Sequence, residues 1–243
     1  MLALRGIRKR YGSVQALGGV DLEVAPGEVI ALVGDNGAGK STLIKVISGV
    51  GPADDGTIEW EGRPVQIRRP QDAQALGIAT VYQDLALCDN LDVADNLFLG
   101  RELTRAAVLD EIEMERRTRD LLKTLGARIP NVRAQVAALS GGQRQAVAIA
   151  RSLLGEPKVV LLDEPTAALG VEQTAHVLEL IARLRERGLG VILISHNLAD
   201  VRAVADRVVV LRLGRNNGVF RTGEATQEQI VAAITGASAS AAA

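Results

Sequence analysis

Apolar residues fall on alternate positions at Val20, Leu22 and Val24, and after the turn dipeptide Pro26-Gly27 they close into the unbroken run Val29-Ile30-Ala31-Leu32-Val33. Alternation predicts a half-buried strand, and a short continuous run predicts a strand covered on both faces, so residues 2 to 33 carry strand signals throughout. From Lys40 the period changes. Leu43 and Ile47, four apart, predict a helix. Thr57 to Trp60, a Glu61-Gly62 turn and Val65 to Ile67 then predict a small hairpin, giving an antiparallel β flank. Residues 70 to 83 give a short helix followed by the apolar run Gly77 to Tyr82, ending at Gln83.

From about Asp92 to Leu154 the pattern is mostly helical, with a strongly amphipathic stretch over Glu111 to Leu125 and few strand signals. Strands resume at Val159 to Leu162 and, after a helix over Glu172 to Arg187, at Val191 to Ile194. Strand, helix and strand in turn predict a parallel sheet with covering helices. The expected class is α/β: a core with a mostly parallel sheet, an antiparallel β flank and an inserted helical subdomain. A single domain is expected over 1–236, with core at about 1–90 and 156–236 and the helical insertion at about 91–155. The Ala-rich tail 237–243 is expected to be disordered.

Between the run ending at Val33 and the helix from Lys40 lies Gly34-Asp35-Asn36-Gly37-Ala38-Gly39-Lys40-Ser41, of the form G-x-x-x-x-G-K-[ST]. Glycines let the backbone turn tightly with its N–H groups inward, the helix N-terminus adds partial positive charge, and Lys40 adds a full one. This is the chemistry of a P-loop NTPase phosphate cradle, with Ser41 left to ligate Mg²⁺. A second helix start follows the same logic. Ser140 and Gln143 fit a capping box, but Gly141 and Gly142 are more than capping needs, and they bare a second anion-binding N-terminus. One nucleotide on a flat domain does not need both.

Val159-Val160-Leu161-Leu162 ends in Asp163-Glu164, and in parallel sheets ligands collect at the carboxyl ends of strands. There Asp163 would hold Mg²⁺ and Glu164 would polarise an attacking water. His196 follows the next apolar strand and is the remaining acid–base candidate, whereas His176, inside the helix over Glu172 to Arg187, reads as a surface or packing residue. Tyr11, among only five aromatics, offers either a face for adenine or a half-buried strand position. The segment Leu85 to Leu91, which holds Cys88, is either a docking loop or packing for the helical insertion.

Composition narrows the partners. With 28 Lys and Arg against 29 Asp and Glu the formal net charge is -1, which removes a bulk electrostatic case for nucleic acid. The basic runs Arg5 to Arg10 and Arg116 to Arg119 read as solvated faces. A lone cysteine excludes an internal disulfide and suits a reducing compartment. No signal peptide is read at the N-terminus, and the apolar runs fall far short of the ~20 residues a membrane helix needs.

In this order, these motifs resemble the nucleotide-binding subunit of an ATP-binding cassette transporter over essentially the whole chain to about Gly236. The resemblance makes Tyr11 the adenine-stacking aromatic, Gly34 to Thr42 the phosphate loop, Gln83 the glutamine linking Mg²⁺ to a membrane partner, and Leu139 to Gln143 the signature motif. It makes Asp163 the magnesium acid, Glu164 the catalytic glutamate and His196 the switch histidine. One departure stands out: after Glu164-Pro165-Thr166 the family usually closes its loop with Asp, and here Ala167-Ala168-Leu169 runs into Gly170. That sequence, together with Val81 to Leu87 and Ile230 to Ala237, is similar to bacterial importers of ribose-, xylose- and fructose-class monosaccharides. The resemblance implies ATP and Mg²⁺ as ligands, a homodimer sandwiching ATP, membrane permease subunits, indirectly a sugar-binding protein, and a cytoplasmic position on the inner face of the cell membrane. A cassette protein of another importer, one acting on DNA or the ribosome, and a regulatory module that does not hydrolyse are the alternatives. Neutral charge and the single cassette argue against the nucleic-acid reading, and the complete set Asp163, Glu164 and His196 argues against the non-hydrolysing one.

Overall fold

The structure is a computed structural model that describes residues 1–237; the expectation of disorder for 238–243 falls outside them. Strands β1 (Leu2–Tyr11) and β2 (Val14–Val24) form an antiparallel hairpin, pairing Tyr11 with Val14 across a turn in which Gly12 takes a positive φ. Their alternation places Leu2, Leu4, Ile7, Val20, Leu22 and Val24 inward. β3 (Val29–Val33) is buried at every position, and α1 (Lys40–Ile47) follows it directly. β4 (Asp55–Trp60) and β5 (Arg63–Val65) are joined through Glu61 and Gly62, both at positive φ. The strand expected over Val65 to Ile67 stops at Val65. Ile67 is still buried, but in the chain that leads into α2 (Pro70–Ala75).

β6 (Ile78–Val81) precedes the mostly helical part: α3 (Val93–Phe98), a small hairpin of β7 (Thr104–Arg105) and β8 (Val108–Leu109), α4 (Glu111–Leu125) and α5 (Gly141–Leu153). That hairpin turns on Ala106 and Ala107, both at positive φ; lacking the Gly or Asn such turns favour, it left no mark in the pattern. Next come β9 (Val159–Asp163), α6 (Val171–Glu186), β10 (Gly190–Ile194), α7 (Leu198–Val204), β11 (Arg207–Arg212), β12 (Arg215–Arg221) and α8 (Gln227–Thr235).

Two sheets result. One is antiparallel, in the order β2-β1-β4-β5. The other runs β12-β11-β3-β10-β9-β6, parallel except for β12 at its edge. The central strands are covered on both faces, which explains their unbroken apolar runs. Ile30, Leu32, Leu161, Ile192 and Leu211 face the antiparallel sheet, and α1 lies in that layer with Leu43, Ile44, Val46 and Ile47 buried. Val29, Ala31, Val33, Val160, Leu162 and Leu193 face α5, α6 and the rest of the helical side. Each fully buried aliphatic side chain contributes about 1.5–3 kcal/mol, so α1 is anchored far more firmly than its eight residues could hold themselves. β6 and β9 are neighbours in the sheet, so the whole stretch from α3 to α5 is an excursion between two adjacent strands. Its consequence is positional: the carboxyl ends of β3, β6, β9 and β10 lie side by side.

Candidate functional site

At the end of β3 the chain wraps into a loop whose glycines are required by geometry. Gly34 has φ 151, and a Cβ there would lie 2.2 Å from the Leu211 carbonyl oxygen; Gly39 has φ 105, and a Cβ there would lie 2.9 Å from the Ala16 carbonyl oxygen. Gly37 sits in open space and is held to glycine only by its φ of 79. Gly39 caps α1 without a side-chain bond, and no acid lies in the first turn, so the helix start keeps its donors unpaired by side chains. Lys40 folds back over the loop and donates to the Gly34 and Asp35 carbonyl oxygens at 2.6 and 3.0 Å. Burial lowers its pKa, against the opposing pull of Glu164, Asp35 and Asp163. Asp35, Asn36, Gly37 and Ser41 are exposed around this cradle, Thr42 is half-buried behind it and Ala38 is buried beneath it.

The acids arrive from the neighbouring strands. β9 and β10 pair in parallel with Ile194 opposite Asp163, so the residues just past both strands emerge together. Glu164 takes φ 52, a costly region for a residue with a side chain, and its N–H donates to the Ile194 carbonyl. This turn brings Glu164 Oε2 to 2.7 Å from His196 Nδ1, with the Glu164 side chain mostly covered and His196 largely exposed. Asp163 is half-buried, and burial followed by the Glu164 charge raises its pKa. Lys40 is the first opposing charge on it. Two carboxylates held together face Lys40 and then Lys45 as the opposing charges.

Gln83 is exposed two residues beyond β6, at the same strand-end edge. Tyr11 ends β1 with 48% of its surface open, and Lys9 Nζ stands 5.6 Å from its ring centre. A strand end with about half of its surface open is what both readings of Tyr11 require. Leu85 and Leu87 pack against the helical-side core, which favours packing for that segment.

The second helix start is built differently. Ser140 Oγ accepts from the Gln143 N–H at 3.3 Å, and Gln143 Oε1 accepts from the Ser140 N–H at 3.0 Å, a complete capping box. Gly141 and Gly142 do more than bare the helix end: a Cβ on Gly141 would meet Leu169 Cδ2 at 2.8 Å, and one on Gly142 would meet Gln173 Cβ at 3.0 Å. They let α5 approach the start of α6 closely. A cavity of about 320 Å³ beside them is lined by Ser140, Gln143, Arg128, Gln173 and His176, among others, and by no described residue of the phosphate loop. The structure thus brings together Lys40, Asp163, Glu164 and His196, and leaves Ser140 to Gln143 in a separate setting. His176 is half-buried in α6, as expected of a packing residue.

Two residues in this region carried no signal in the sequence. Asp200 is buried, and its carboxylate accepts a 2.7 Å bond from Thr166 Oγ1, tying α7 to the loop after Glu164. Arg151, near the end of α5, donates to two carbonyls beyond Gln83. An Asp one turn into a helix and an Arg in its last turn are ordinary in a pattern, and only the fold shows what they meet.

The pattern of the ABC transporter family matches residues 17–167, well over half the chain. The chain belongs to the ABC transporter family. It is 49% identical to the fructose import ATP-binding protein FrcA of Rhizobium meliloti, covering 98% of this chain and 94% of that one. It is 46% identical to the xylose/arabinose import ATP-binding protein XylG of Sulfolobus acidocaldarius, covering 97% and 94%. The ribose import ATP-binding protein RbsA 1 of Rubrobacter xylanophilus is also 46% identical, and there 98% of this chain spans 47% of the longer relative. Among solved structures, the ADP conformation of an ATP-binding cassette of an ABC transporter superposes with a TM-score of 0.81 at 26% identity, over 97% of this chain and 94% of that one. A dimeric post-hydrolysis cassette bound to ADP and Pi gives 0.76 at 26% identity, over 91% and 99%. This ABC chain therefore has the α/β fold of the family's ATP-binding cassettes. Among the described residues no helix is long and apolar enough to cross a membrane.

Proposed function

We propose that this chain is the ATP-hydrolysing subunit of an ABC importer, powering uptake of a monosaccharide through partner membrane permease subunits fed by a sugar-binding protein. The observation that carries the chemistry is the Glu164–His196 pair, 2.7 Å apart at two adjacent strand ends beside a complete phosphate loop. The sugar reading rests on the likeness to import ATP-binding proteins for fructose, xylose, arabinose and ribose. Residues 1–236 act as one ATPase domain with the helical part, about 91–155, inserted between core strands.

In this reading Gly34 to Thr42 wrap the phosphates and Lys40 neutralises them, exchanging its two loop carbonyls for phosphate oxygens, while Tyr11 offers its open face to adenine. Mg²⁺ fits the residues present: the Asp163 carboxylate, the Ser41 hydroxyl and the Gln83 amide oxygen are hard oxygen donors, the type that this ion takes alongside substrate phosphates and water. Ser41, Asp163 and Gln83 would hold it, and the neighbouring carboxylates of Asp163 and Glu164 suit a cation. When bound, the ion supplies charge neutralisation to the phosphates. Glu164 accepts the proton of the attacking water, and His196 fixes the Glu164 carboxylate. Ser140, Gly141, Gly142 and Gln143 of a second copy close the site, and the assembly sits peripherally on the cytoplasmic face of the membrane.

The test of the chemistry is Glu164→Gln. ATP binding should persist while turnover falls roughly 10²- to 10⁴-fold, the usual worth of a general base, or about 3–5 kcal/mol of barrier. Steady-state hydrolysis within about threefold of wild type, under 1 kcal/mol, removes Glu164 from that role.

A further inference from the structure

We infer that Arg151 is a positioning residue that makes the Gln83 segment move with the signature helix α5, so that Gln83 reaches the ATP of its own chain and Ser140 the ATP of the partner copy as parts of one rigid piece. The inference rests on the ATPase reading above. Its starting point is a cation in an unusual place. Arg151 is half-buried, burial lowers its pKa, and among the described residues no carboxylate pairs with it. Its guanidinium instead donates to two successive carbonyls, Leu85 at 2.9 Å and Ala86 at 2.8 Å. A half-buried charge without a counter-charge is costly, and two fixed carbonyl dipoles are what offset it here.

The carbonyls are themselves held in place. Ala86 has φ 48, a region that residues with a side chain adopt only when the surroundings impose it. Beyond it, fully buried Asn96 accepts from the Cys88 N–H at 2.7 Å and donates to the Cys88 and Asp92 carbonyls, both at 2.9 Å. The chain then pairs with the segment leading to the signature motif, through Val136 N–H to Leu91 and Val93 N–H to Ala134. From Leu85 onward the segment thus belongs to the helical side. On the other side of Gln83, Tyr82 Oη donates to Ser48 Oγ at 3.0 Å, at the end of α1. Gln83 stands between a residue anchored to the phosphate-loop helix and residues anchored to α5. Among the described residues Arg151 is the only α5 side chain that hydrogen-bonds to this stretch within three residues of Gln83. Removing its fork takes away the hydrogen-bonded link between this stretch and α5 without touching the phosphate loop.

A double-mutant cycle on the full chain tests this, using Arg151→Lys, which keeps the charge but not the fork, with Gln83→Ala and the pair. Arg151→Lys should lower kcat at least fivefold and leave the KM for ATP within twofold. Because Arg151 acts through Gln83, the double variant should turn over within twofold of Gln83→Ala alone. Hydrogen exchange should rise in residues 84–88 and stay unchanged in β3 and β9. Multiplicative losses in the double variant, or Arg151→Lys within twofold of wild type, overturn the inference. Arg151→Met provides a second variant in case Arg151→Lys does not fold, and failure of both to fold makes Arg151 a folding residue and also overturns it. Glu164→Gln run alongside separates the two levels: if it too hydrolyses like wild type, the ATPase reading fails, and if it is inactive while the cycle is multiplicative, only the present inference fails.

Discussion

Two helices in this chain begin at glycine-rich turns, and they differ in how their first N–H groups are satisfied. α1 starts from Gly39 with no side-chain cap, its glycines locked against backbone at Leu211 and Ala16, and its charge supplied by Lys40. α5 starts from Ser140 with a full capping box, and its glycines are pressed against the side chains of Leu169 and Gln173. The first start leaves its N–H groups without a side-chain partner; the second pairs its own through a capping box. A Ser hydroxyl that accepts from a backbone N–H can still donate, so Ser140 retains one bond to offer an incoming phosphate. Under the proposed function the Gly34 loop captures ATP alone and the Ser140 end joins afterwards from another copy.

Substitutions at the two starts should separate them, beginning with the largest effect. Gly34→Ala drives a Cβ to 2.2 Å from a backbone oxygen at φ 151. It should cost about 3 kcal/mol or more, roughly 6–12 °C in thermal unfolding for a chain of this size. Gly141→Ala meets only side-chain ends, Leu169 Cδ2 at 2.8 Å and Gln173 Oε1 at 3.4 Å, and Ala is the better helix former, so its melting temperature should stay within a few degrees of wild type. Equal losses for the two would erase the distinction. Next in size, Ser140→Ala removes the cap and should cost about 1 kcal/mol, or roughly 2–4 °C, in the absence of nucleotide. No change without ATP would mean that the box does not hold this helix in solution. The smallest effect concerns Gly170, which caps α6 with no side-chain bond and has open space where a Cβ would stand. Gly170→Asp should add a few tenths of a kcal/mol, a rise of about 1 °C; a fall would mean that an Asp side chain cannot reach the α6 start from this loop.

The same contrast governs what could be read from sequence. The phosphate loop is legible because its requirements are local: a buried strand, a tight turn and a helix, each with its own residue signature, as at Val29 to Val33 and Lys40 to Ile47. The position of Asp163 and Glu164 at a strand end is legible because the apolar run Val159 to Leu162 stops there, as β9 does. The small hairpin at Thr104–Leu109 was not, because Ala106 and Ala107 take positive φ without the residues that normally announce it. Beyond Ile194 the pattern had assigned no elements, although Val208 to Leu211 forms an apolar run that became β11. Asp200 and Arg151 were invisible for a different reason. Their partners, Thr166 and the carbonyls of Leu85 and Ala86, are distant in sequence and are brought to them only by the packing of α7 and α5.

The claim that Ser140 serves a phosphate loop on another chain is tested most directly by mixing two inactive variants. Lys40→Ala keeps Ser140 but loses its own phosphate lysine, and Ser140→Arg keeps Lys40 but places a bulky cation at the signature start. A head-to-tail dimer of one of each contains one undamaged composite site, whereas either variant alone contains none. ATPase activity should be near zero for each variant and return on mixing, rising with total protein concentration as the pair assembles around ATP. Strong, concentration-independent hydrolysis by a Ser140→Arg chain that stays monomeric would contradict it.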